Sequence, residues 1–189
     1  LSGVGAYTDR MQTAAGNKPV WMVLQGMSWA DFRKGLSEEE LNPLRRPRKD
    51  ETRFMAYDAI VHGARGVLYW GSHYVEKDSD FWRELLEVMA ELRELQPVLS
   101  APDGLSPVVA VGPTNGSLDR GVKVLTKKAP DGTWYLVVND FGGAVSLNLA
   151  LSEETPYETL SGETPLKQEG KQLSFSMGGY SVVVLKPVL

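Results

Sequence analysis

Two apolar runs in the sequence end in the same kinds of side chain. PVWMVLQGMSW, Pro19 to Trp29, closes on Gln25, Gly26 and Trp29; GVLYWGSHY, Gly66 to Tyr74, closes on Trp70, Gly71, His73 and Tyr74. Flat indole and phenol rings pack on the apolar axial C–H faces of a pyranose, and amide, imidazole and guanidinium groups bond its hydroxyls. Trp70, Trp29, Gln25 and His73 are therefore the candidate binding residues, with Arg46 a further hydrogen-bonding one. Cleaving a glycosidic bond takes a pair of carboxylates. Glu76 is the best local candidate for one of them. Glu38, Glu39 and Glu40 read instead as a solvated helical turn capped by Ser37, and Asp78 as the cap of a later helix. Gln25 stands where a strand-end carboxylate would be useful, and a neutral amide is neither nucleophile nor general base. His62 reads as a helix-end residue bonded to a backbone carbonyl.

The elements that must hold these residues alternate. GAYTDRMQTAAGN predicts a helix stopped at Gly16, and Pro19–Leu24 a strand. A long polar stretch, Met27 to Asp50, follows. DETRFMAYDAIVHGARG predicts a helix closed by Gly63 or Gly66, Val67–Trp70 a second strand, and the stripe Phe81, Trp82, Leu85, Val88, Met89, Leu92, Leu95 a helix to about Leu95. Strands joined through a helix run parallel and are covered on both faces. Their C-terminal ends face the working site, so the long βα loop belongs on that side and the tight Gly63–Gly66 link on the other. Two such strands cannot close a sheet. The missing neighbours are expected from residues upstream of Leu1 or from another chain.

The texture changes at QPVLSAPDGLSP, Gln96 to Pro107. Beyond it, short alternating runs separated by glycine turns predict antiparallel strands at Val108–Val111, Val122–Lys127, Trp134–Asn139, Val145–Leu149, Tyr157–Leu160, Gln172–Ser176 and Tyr180–Leu185, the spacing of a sandwich. Residues 1–100 are thus expected to form part of an α/β barrel and 106–189 an antiparallel β-sandwich. Trp134, Tyr135 and Tyr157 are expected in its core.

The bulk composition excludes several classes. The 189 residues are 42% hydrophobic and 23% charged, with a net charge of −4, which argues against nucleic acid as a partner. No apolar run reaches membrane-spanning length. With no cysteine and only two histidines, thiolate and multi-histidine metal sites are excluded, and no cofactor is expected.

KPVWMVLQGMSW followed by ETRFMAYDAIVHGARGVLYWGS resembles the seventh and eighth βα units of a glycoside-hydrolase-type (β/α)8 barrel. WYLVVND, YETLSG and the terminal GYSVVVLK are similar to the C-terminal sandwich that follows the barrel in bacterial glycosidases of this kind. The resemblance implies a TIM-barrel remnant plus a β-sandwich, a carbohydrate substrate and hydrolysis of O-glycosidic bonds. It implies that Trp70, at the end of strand eight, is a sugar platform. In the large retaining clan with this barrel, the acid/base glutamate follows strand four and the nucleophile ends strand seven. Strand four is not in this chain, and Gln25 matches the nucleophile position most nearly, so the catalytic pair is expected mostly upstream. The alternative is a non-catalytic carbohydrate-binding or scaffold relative. The resemblance favours a secreted or periplasmic setting.

Overall fold

A computed structural model describes residues 1, 3–41, 44–112, 121–161 and 164–188. The first half runs α1 (Gly3–Ala15), β1 (Trp21–Gln25), a 3-10 turn (Trp29–Phe32), α2 (Glu38–Leu41), α3 (Lys49–Val61), β2 (Gly66–Trp70), a second 3-10 turn (Ser72–Tyr74), α4 (Asp80–Glu94) and α5 (Gln96–Leu99). The strands β1 and β2 pair in parallel, Trp21 beside Gly66 and Gln25 beside Trp70, so their C-terminal ends are level. Among the described residues they form a two-stranded sheet with no other neighbour.

Alternation along these strands separates two faces. Leu24 and Tyr69 are buried, and Met22 and Val67 pack on the same core with Phe54, Ala56, Ala59, Leu85 and Val88 of α3 and α4. The opposite face carries Trp21, Val23, Leu68 and Trp70, which are 67%, 62%, 49% and 46% exposed. Helices cover one side of the sheet, and the side that faces the interior of a closed barrel is bare.

Among the described residues the second half has eight strands: β3 (Val108–Gly112), β4 (Val122–Ala129), β5 (Gly132–Asn139), β6 (Val145–Ala150), β7 (Tyr157–Thr159), β8 (Lys167–Glu169), β9 (Gln172–Met177) and β10 (Ser181–Pro187). They form two antiparallel sheets, ordered β4-β5-β10-β7 and β3-β6-β9-β8. Val124, Tyr135, Val137, Leu147, Leu149, Leu173, Phe175 and Leu185 fill the space between them. The other face of the first sheet, through Trp134, Leu136, Val138 and Val184, packs on the helices of the α/β half in one continuous core. That is why β5 is buried almost throughout. The architecture is the C-terminal portion of a barrel followed by an antiparallel β-sandwich.

Three local expectations need correction. Ser79, not Asp78, caps α4: its hydroxyl accepts from the Trp82 N–H. The strand β8 was not expected, because KQE has no apolar alternation and lies at a sheet edge. His62 does sit at the C-terminal cap of α3, but its ring meets carboxylates rather than a backbone carbonyl. No helix among the described residues is long and apolar enough to cross a membrane.

Candidate functional site

The level ends of β1 and β2 collect aromatic rings. Trp70 is the last residue of β2, and the chain then turns at Gly71, whose φ of +81° favours glycine. A Cβ there would also meet the Met27 side chain at 2.4 Å. The Gly26 N–H donates to the Trp70 carbonyl at 2.9 Å, so the two strand exits are tied together. The turn Ser72–Tyr74 then carries His73 and Tyr74 to the surface.

From the β1 side the short 3-10 turn Trp29–Phe32 folds across this end. Ser28 caps it through the Ala30 N–H, and Asp31 returns a bond to the Ser28 N–H. The turn lays Phe32 parallel to Trp70, ring centroids 5.5 Å apart and planes 12° apart. Phe32 also meets Tyr74 edge-on at 4.6 Å and Trp29 at 6.1 Å. His73 lies against Tyr74 with centroids 3.9 Å apart. Trp29, Phe32, Trp70 and Tyr74 are all exposed, unlike Trp134, Tyr135 and Tyr157, which are buried in or beside the sandwich.

The polar groups around these rings are largely paired. Gln25 donates from Nε2 to the Met27 carbonyl at 2.9 Å, which leaves its Oε1 as an acceptor. Gln25 and Trp29 share a pocket of about 250 Å³ with Arg45, Pro47, Glu51 and Met55. Arg45 grips Glu51 through two bonds of 2.6 Å. Those bonds, with the Arg48 N–H, hold the Glu51 carboxyl down at about 2. A carboxyl so acidic carries no proton to give a leaving group near neutral pH and is a poor base. Asp31 is paired to Arg46 at 2.6 Å, so Arg46 is committed to the loop. Glu76 is exposed on the turn before α4; its carbonyl accepts from Ser79, and its side chain has no ion-pair partner among the described residues. Among the described residues no group of three or more His, Asp and Glu is arranged to hold a metal ion.

Of the sequence candidates, Trp70, Trp29 and His73 thus join one exposed aromatic cluster, and Gln25 lies at its edge beside the Trp70 backbone. Glu76 takes no part in the ring contacts. Phe32 was missed as a member, though the spacing Trp29-x-x-Phe32 in a loop after a buried strand was the available signal.

No family's sequence profile and no curated protein sequence matches the chain. Solved structures do. An AmyP variant in complex with maltotriose superposes with a TM-score of 0.53 at 13% identity, over 74% of this chain and 35% of that one. The α-amylase of Geobacillus thermoleovorans, complexed with acarbose, gives 0.59 at 10%, over 97% and 42%. An Anoxybacillus α-amylase gives 0.58 at 10%, over 99% and 46%. The chain therefore spans less than half the length of these structures, over their C-terminal part. At such identities the likeness is one of fold.

Proposed function

We propose that this chain is the C-terminal portion of a carbohydrate-active glycoside hydrolase, divided at about 1–100 and 106–189 into partial barrel and sandwich. Trp70 is the sugar platform, Trp29 a second ring, and Gln25 and His73 hydroxyl-bonding neighbours. The observation that carries this reading is a cluster of four exposed rings at the C-terminal ends of two parallel strands whose inner face is bare. Exposed rings are costly unless something flat and partly apolar covers them. The bare face and free strand edges are completed by further strands, from residues upstream or from another chain. In that assembly the rings line the mouth of the barrel, where substrates of this fold bind. Maltotriose and acarbose, the ligands of two of the matching structures, are of the chemical class this surface suits.

The catalytic pair lies mostly outside this chain. Glu51 and Asp31 are locked by arginines, and Glu76 stands in solvent. A glycosidic bond bound over Trp70 would still need a protonated carboxyl and a base or nucleophile across it. One observation favours a second reading, a non-catalytic carbohydrate-binding relative: the amide Gln25 closes β1 and is turned back on Met27.

The test uses the full-length protein, a panel of oligosaccharides and the Trp70→Ala variant. Loss of the ring should weaken sugar binding about 10- to 100-fold, the size of a lost stacking surface, with melting unchanged. Reducing-end release by the wild type supports the hydrolase; binding without release supports the non-catalytic reading. Unchanged affinity in the variant removes Trp70 from the site.

A further inference from the structure

Away from the ring cluster, where α1, α3 and β4 meet, three titratable side chains surround one imidazole. His62 is nearly buried, and Asp58, one helical turn earlier on α3, is wholly buried. Asp58 Oδ1 and His62 Nε2 face each other at 3.4 Å, and neither has a hydrogen-bond partner among the described residues. The other oxygen of Asp58 accepts the Gly5 N–H of α1 at 2.7 Å. Only glycine fits there: a Cβ on Gly5 would lie 2.5 Å from His62 Nε2. At the other end of the ring, Nδ1 is 2.9 Å from Asp9 Oδ2 of α1 and 3.0 Å from Lys123 Nζ of β4. Lys123 is also 3.3 Å from Asp9.

These two neighbours make opposite demands on Nδ1. An ammonium only donates, so Lys123 requires a bare Nδ1; a carboxylate only accepts, so Asp9 requires Nδ1–H. With one ring proton, on Nε2 and directed at Asp58, Nδ1 accepts from Lys123 and the sandwich strand β4 is held to α3. With two, Nδ1–H turns to Asp9, and the imidazolium repels the Lys123 ammonium.

We propose that His62 is a proton-operated latch between the helical half and the sandwich, closed on Lys123 when the ring is neutral and released from it when the ring is charged. The charged groups bearing on it are Asp9 from α1, Asp58 from α3, Lys123 from β4 and Asp140, just after β5, which acts on Asp58. On release the sandwich keeps its apolar contact with α3 and the Lys123–Asp9 pair. The motion is therefore a loosening of one corner.

Histidine-labelled protein tests this, with His73→Gln leaving His62 as this chain's one imidazole. Nitrogen shifts should report the Nε2–H tautomer at pH 8.5. Lys123→Met should move the titration midpoint upward, because a cation has been removed from beside the ring. Exchange protection of the Val122–Leu125 amides should fall on acidification in the wild type and stay level in His62→Gln. An Nδ1–H tautomer at pH 8.5, a midpoint indifferent to Lys123, or protection that falls equally in His62→Gln would each overturn the latch.

Discussion

At the scale of single residues, environment decides what a side chain can do. Glu51 and Asp58 are both acidic residues on α3, and their surroundings drive them apart. Arg45 holds Glu51 down at about 2, whereas burial, with the Asp140 charge, lifts Asp58 to about 7. The raised value has a definite sign. Between about pH 4 and 7 the folded protein keeps a proton that the unfolded chain has released, so stability falls as pH rises through that window. Asp58→Asn should flatten this slope: relative to wild type, its melting temperature gains more at pH 8 than at pH 5. An identical slope in both proteins would show that Asp58 does not titrate there. Trp70 and Trp29 were legible in the sequence because strand ends are local features. Phe32 had a signal in its loop spacing from Trp29, but the ring of partners around His62 had none. Asp9 and Lys123 reach His62 only because α1 and β4 fold against α3, and no local pattern encodes that meeting.

At the scale of elements, caps and alternation carry most of the fold. The apolar stripe of α4, with Phe81, Leu85, Val88 and Leu92 buried, was readable from helical spacing alone. Its start was misplaced by one residue because Asp78 and Ser79 are both good caps. The Ser79 hydroxyl makes the bond, so Ser79→Ala should cost about 1 kcal/mol in urea unfolding and Asp78→Ala less than about 0.5. The reverse order would return the cap to Asp78. Seven of the sandwich strands were legible because inward residues alternate with outward ones, as in VSLNLA of β6. The β8 strand escaped because three polar residues gain their strand geometry from pairing with β9, not from their own pattern.

At the scale of the molecule, the helices α3 and α4 are shared between two partners, the parallel strands and the sandwich. Arg53 stitches this junction. Its guanidinium binds Glu91 through Nε and Nη2 and donates to the Val182 carbonyl of β10. Tyr57 donates to the same Glu91 at 2.6 Å. Arg53→Met should destabilise the protein by about 2 kcal/mol, since Glu91 is left half-buried without its cation; a change under about 0.5 would make the pair ornamental. That two apolar runs cannot cover each other was visible in the sequence. Which face stays bare was not, because VWMVL and VLYW are apolar on both sides; only the placement of the helices distinguishes them. The claim on which the account rests is that the aromatic strand ends touch carbohydrate. The most direct measurement follows the indole N–H signals of Trp21, Trp29, Trp70, Trp82 and Trp134 as an oligosaccharide is titrated into the full-length protein. The account predicts that Trp70 and Trp29 shift while Trp82 and Trp134 stay in place; shifts confined to Trp82 or Trp134, or bound sugar with no movement at Trp70, would contradict it.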